Sequence, residues 1–144
     1  MEDRYLFKAK IKENNNTGYK ELDWIIGNLV VEQSTGRHFI IDLSHFDENT
    51  KLCDVMIEVD PSTICKCTGI RDKTGKLICD NDIIKAWSQG TCAKGKIKQR
   101  IDGTWIMYPA WQKGEMWYLC PDNNGETTVE VIGNKFDNPE LLEV

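Results

Sequence analysis

Hydrophobic and polar positions alternate with a period of two over most of the chain, the signature of half-buried β-strands. Between Arg4 and Ile11, Tyr5, Phe7, Ala9 and Ile11 fall on one side and Arg4, Lys8 and Lys10 on the other, with Leu6 the exception. Trp24 to Val31 is rich in β-branched residues and reads as a second strand, with Gly27 marking a bulge or a close contact. The turn Gln33-Ser34-Thr35-Gly36 and the return run Arg37 to Leu43 complete a hairpin, and a further strand is expected around Val55 to Val59. Polar loops precede Trp24 (Lys12 to Gly18) and follow Leu43 (Ser44 to Thr50).

Asp60-Pro61-Ser62-Thr63 can hold one helical turn, with Asp60 as N-cap and Pro61 in the first helical position. Turn chemistry is densest from Thr68 to Ile84. Asp72-Lys73-Thr74-Gly75 joins two short apolar runs, its carboxylate placed to accept from the turn's own backbone. Asp80-Asn81-Asp82 makes a second corner, where asparagine tolerates a left-handed conformation. Ile83 to Trp87 fits a short helix as well as a strand.

Beyond Gly90 the pattern is again β: Lys94, Lys96, Lys98 and Arg100 alternate with Gly95, Ile97 and Gln99, and Asp102-Gly103 is a hairpin dipeptide. Strands are expected at Thr104 to Tyr108, Glu115 to Cys120 and Thr127 to Ile132, with a turn at Pro121 to Gly125. Asn138-Pro139-Glu140-Leu141-Leu142 closes the chain as a capped helical turn. Many short strands with regular turns predict a mainly β protein of short antiparallel strands with only short helical turns, including a small barrel. No internal repeat or clear linker divides it. The expectation is one domain over residues 1–144, or two intimately packed lobes at about 1–67 and 68–144.

Composition narrows the function classes. The 144 residues are 40% hydrophobic and 28% charged, with a formal net charge of -5. That is ordinary for a globular protein and gives no global sign of nucleic-acid or membrane binding. No apolar run approaches the roughly 20 residues of a membrane span. Acidic residues at Glu2 and Asp3 do not resemble a signal peptide, so a cytoplasmic location is expected. Six cysteines (Cys53, Cys65, Cys67, Cys79, Cys92 and Cys120) then read as reduced, inert thiols. Cys65-Lys66-Cys67 is too closely spaced for a zinc knuckle, and in a strand both sulfurs face inward.

Two segments carry a family resemblance. Thr68 to Ile78, continuing to Asp82-Ile83-Ile84, resembles T-G-L-x-D-K-x-G-K-x-I-x-x-G-D-I-V, and Val131 to Leu142 resembles V-I-G-N-x-x-x-N-P-E-L-L. Both patterns belong to the YopX-type proteins of bacteriophages and prophages. The chain departs from the pattern at Asn81, where the family commonly has glycine. The resemblance implies a β fold with an SH3-type barrel and a phage or prophage gene expressed in a bacterial host, and it implies no assigned activity.

The strongest functional lead is the cationic strand. Lys94, Lys96, Lys98 and Arg100 share one face at about 6.6 Å intervals, close to the phosphate spacing of an extended strand. Trp105 and Trp117, with Tyr108 and Trp111, supply aromatic platforms nearby. The plainer reading is a solvated or edge-protecting face. The acidic segment from Asp122 onward could neutralise the stripe, in cis or from a neighbouring subunit. Asp80 and Asp82 are too few for a metal site, and are more simply turn formers. No catalytic motif surrounds His38 or His45. The sequence therefore predicts a non-enzymatic accessory or binding module without cofactor. Its surplus aromatics favour a homo-oligomer, and nucleic-acid binding is the alternative.

Overall fold

The computed structural model describes residues 5–12, 24–42, 48–49, 56–88, 90–110 and 115–142. Cys53, His45, Trp111 and most of the two polar loops lie outside them. The protein is mainly β, with two antiparallel sheets and short 3₁₀ turns. The chain divides into two compact units, Tyr5–Lys66 and Cys67–Val144.

In the first unit, β1 (Phe7–Lys10), β2 (Trp24–Val31), β3 (His38–Ile41) and β4 (Met56–Val59) pair in the order β4-β3-β2-β1. Residues Cys65 and Lys66 of β5 (Cys65–Arg71) add to β1. Ala9, Ile11, Ile25, Ile40, Ile57 and Val59 form the buried core. Lys8, expected on the polar side, is buried, with its ammonium 4.9 Å from the centre of the Trp24 ring. The ring covers the lysine stem on the face away from the core, where its strand partner Ile26 is exposed. The turn η1 (Pro61–Thr63) is capped by Asp60, whose carboxylate accepts the Ser62 N–H at 3.0 Å.

Gly27 is the close contact its sequence context suggested. A Cβ there would fall on the carbonyl oxygen of Ile41 and within 2.9 Å of Ile40 Cγ2. Backbone cannot yield as a flexible side chain does, so Gly27→Ala is expected to cost about 3 kcal/mol. Thermal unfolding followed by circular dichroism measures it.

The second unit contains the rest of β5, then β6 (Leu77–Cys79), β7 (Asp82–Ser88), β8 (Thr91–Gln99), β9 (Trp105–Tyr108), β10 (Trp117–Tyr118), β11 (Glu130–Asn134) and η2 (Pro139–Leu142). The segment from Ile83 to Trp87 is thus strand, its β-branched residues buried on both faces. Five strands pair in the order β10-β9-β8-β7-β11. Ile78, Ile84, Ala86, Ala93, Ile97, Met107, Leu119 and Val129 form the core, with Ile70 of β5 packed against it. Among the described residues no sheet closes on itself, so the strand pairing by itself does not show the expected small barrel.

The turns follow their chemistry. Asp72 Oδ1 accepts from the Thr74 N–H, the Thr74 hydroxyl and the Lys76 N–H at 2.7–2.9 Å, while its Oδ2 accepts the Val131 N–H at 3.0 Å. Asn81 takes a φ of 69°, as expected where the family has glycine. Asp82 is fully buried, and Oδ2 accepts the Cys79 N–H at 2.8 Å. Both aspartates of the pair Asp80 and Asp82 therefore flank a corner.

A candidate cation-and-tyrosine face

Side chains alternate across a sheet, so residues directly opposite on neighbouring strands share a face. On β8, Ala93, Gly95 and Ile97 point into the core, which turns Lys94, Lys96 and Lys98 to the other side. Register then decides what stands beside them. Lys96 lies opposite Tyr108 and Ile83, Lys94 opposite Lys85, and Lys98 opposite Ile106. Ile106 in turn lies opposite Tyr118 on β10. Tyr108 and Tyr118 are 41% and 44% exposed, so their rings are open to a ligand. Lys98 Nζ stands 5.6 Å from the Tyr108 ring centre, and the Arg100 guanidinium stands at the same distance from Tyr118. Arg100 also donates a hydrogen bond to the Tyr118 hydroxyl.

The expected aromatic partners are on the opposite face. Trp105 pairs with Gln99 and Trp117 with Met107, and both indoles pack against the core with Ile97. The cause is the loop between β8 and β9. A two-residue Asp102-Gly103 turn would set Ile101 against Thr104 and bring Trp105 opposite Arg100. Instead Arg100 pairs with Thr104 through the Arg100 N–H and Thr104 O (2.8 Å), leaving the three-residue loop Ile101-Asp102-Gly103 with Gly103 at φ 90°. One residue of slip exchanges the two faces of the following strand. Of the residues singled out from sequence, Lys94, Lys96, Lys98 and Arg100 stand together, while Trp105 and Trp117 do not join them. Tyr108, already named among the nearby aromatics, and Tyr118 stand there instead, as strand parity requires once the loop length is known.

Charge on this face is uneven. Lys94 and Lys98 are exposed, and Arg100 has Asp102 Oδ2 at 3.9 Å. Lys96 is half-buried: burial first, and then repulsion from Lys135, holds its ammonium below the ordinary lysine value. Burial raises the Asp80 carboxyl above its usual range, against the pull of Lys96 and Lys135. Beyond Lys85 the face continues to Trp87, 40% exposed, with Lys73 Nζ 4.2 Å from its ring centre. Lys73 is itself paired with Glu130 at 3.5 Å. A surface cleft of about 560 Å³ in this unit shares Lys73 with the end of the face and is otherwise lined by Cys120, Asp122 and Glu126 among others, with no histidine. Among the described residues no cluster of three or more histidine, cysteine or acidic side chains could hold a metal ion. None of the helices there is long and apolar enough to cross a membrane.

The fold and this face define an all-β protein of two antiparallel-sheet units with a cationic, tyrosine-bearing surface. The family model described as YopX protein matches residues 6–143, nearly the whole chain, and the chain belongs to that family. No curated protein matches it.

Proposed function

We propose that the chain is a non-enzymatic binding module that uses the Lys94, Lys96, Lys98 and Arg100 face to hold single-stranded nucleic acid. One observation carries the reading: cations and exposed tyrosine rings stand together on the same sheet face, the exposed Lys98 with Tyr108 and the half-buried Arg100 with Tyr118. Single strands are held by that combination, phosphates on cations and bases stacked on rings. A duplex offers its phosphates but keeps its bases stacked away from such rings. The proposed setting is a phage or prophage protein in the cytoplasm of a bacterial host, in keeping with the family.

The test is a salt titration of binding to labelled single-stranded and duplex oligonucleotides. Four phosphate contacts predict a slope of log affinity against log salt of about -3 for a single strand. Equal or tighter binding to duplex, or no binding at low salt, would remove the reading.

Self-association is a second reading, supported by Met116 and Tyr118, exposed at the short edge strand β10. Such an edge can recruit a second copy, and sedimentation equilibrium measures this directly. We also propose that the second unit is an SH3-type barrel. It is supported by hydrogen bonds that join the end of β5 to the segment before β11: Arg71 N–H to Gly125 O at 2.8 Å and Thr127 N–H to Arg71 O at 2.9 Å.

A further inference from the structure

Three of the cysteines in the described residues are buried, and two of them face each other. Cys67 on β5 and Cys79 on β6 are directly opposed in the antiparallel register, both fully buried, with their sulfurs 2.8 Å apart. The hairpin holds them in place from both sides. Thr68 donates its hydroxyl hydrogen to Ile78 O at 2.7 Å, and the Cys79 N–H is bound by Asp82. Cys65 is directed elsewhere, its sulfur donating to Thr63 O at 3.2 Å, and Cys92 and Cys120 are exposed.

We propose that Cys67 and Cys79 form a modification site, a preset thiol pair that a peroxide closes into an intrachain disulfide. Directly opposed residues on antiparallel strands bring their Cβ atoms to within about 1 Å of the separation a disulfide needs, and here the sulfurs already touch. In the first step one sulfur, as thiolate, attacks a peroxide oxygen, and the O–O bond breaks to give a sulfenic acid and hydroxide, which takes up the released proton as water. In the second, the other thiol attacks the sulfenic sulfur, the S–S bond forms, and the sulfenic oxygen leaves as water. Two thiols and one hydrogen peroxide give one disulfide and two waters, the two electrons passing from sulfur to the peroxide. Burial makes the reaction depend on transient opening of the three-residue strand β6, so it is slow, and it is the opposed register that directs it to a linkage within this pair. In a reducing cytoplasm a dithiol reductant reverses it, which makes the bond conditional.

The link has a structural consequence. The same hairpin turn is tied to the far end of the chain, through Asp72 to the Val131 N–H and through the Lys73 N–H to Val129 O at 2.8 Å. Closing the hairpin therefore slows the opening of β11 as well.

The experiment treats the C53S/C92S/C120S variant of the full chain with hydrogen peroxide under native conditions and maps peptides without reduction. The expected product is a single Cys67–Cys79 linkage, a mass loss of about 2 Da and full reversal by dithiothreitol. The thermal midpoint of the oxidised form is expected to rise by on the order of 10 °C, with slower hydrogen exchange at Lys73 and Val131. Alkylation of both thiols after denaturation, a Cys65 linkage, or sulfinic acid without linkage would each overturn the proposal. Cys79→Ser removes the mass loss; should that variant misfold, the same peptide map of the wild-type chain decides.

Discussion

Asp72→Ala is expected to lower the stability of the second unit by about 4 kcal/mol, the largest single effect foreseen for this protein. The carboxylate is buried and accepts four hydrogen bonds, three of them from backbone N–H groups. Alanine leaves those turn donors without the acceptor that organises them, and each such loss costs about 1–3 kcal/mol where water does not replace it. Asp72→Asn keeps one acceptor oxygen and is expected to cost about half as much. Burial alone would raise the Asp72 pKa. The hydrogen bonds from Val131, Thr74 and Lys76 together outweigh it and bring the carboxyl below the usual aspartate value. With the folded value depressed, the stabilisation is complete above the ordinary pKa of about 3.9 and is lost as pH falls through the folded one. Urea unfolding at a series of pH values below 5 checks both points: wild type should weaken progressively in acid, and Asp72→Asn should weaken less steeply. An Asp72→Ala variant as stable as wild type at pH 7 would contradict the hydrogen-bond assignment.

Reversing the charge of Lys94, Lys98 and Arg100 to glutamate is expected to weaken single-stranded oligonucleotide binding by at least about 100-fold at low salt. Three attractive contacts become repulsive, and all three positions are on the accessible side of the sheet, so folding is expected to survive. Tyr118→Ala, which removes one ring and the hydroxyl that Arg100 binds, is expected to cost about tenfold with a nearly unchanged salt slope. Trp117→Ala separates the two faces. Its indole packs on the core, so the change is expected to lower thermal stability while the folded protein keeps its affinity. Fluorescence anisotropy beside a melting curve for each variant distinguishes these outcomes. A Trp117 variant that remains stable and loses binding would place the ligand on the other face.

Strand periodicity and turn residues carried most of the fold. The turns at Asp72, Asn81 and Gly103 and the cap at Asp60 require particular residue types, and those residues are visible in any reading of the chain. Register across a hairpin is different in kind. Asp102-Gly103 fits a two-residue and a three-residue loop equally well, and the choice between them depends on whether Ile97 and Met107 or their neighbours meet the core. That is a tertiary matter, and it is why alternation alone puts the lysines on one face while leaving open on which face Trp105 and Trp117, read only as nearby, would stand. Lys8 shows the same limit: alternation puts it on the face away from the core, and tertiary neighbours such as the Trp24 ring cover it there. The Cys67–Cys79 pairing was hidden for a related reason, since a bulge in β5 between Cys67 and Arg71 sets which cysteine meets which.

The ties between the Arg71–Lys73 turn and the segment from Gly125 to Val131 bear on how the protein is made. They join positions more than fifty residues apart, so a ribosome must release nearly the whole second unit before they can form. Until then Asp72 Oδ2 lacks its Val131 partner and the sheet edge is incomplete, the kind of surface that nascent-chain chaperones hold. A chain cut short before Val129 would be left in that state permanently. Loss of the final strand is therefore expected to be read by the cell as a failure of the entire unit, with proteolysis instead of partial activity as the outcome.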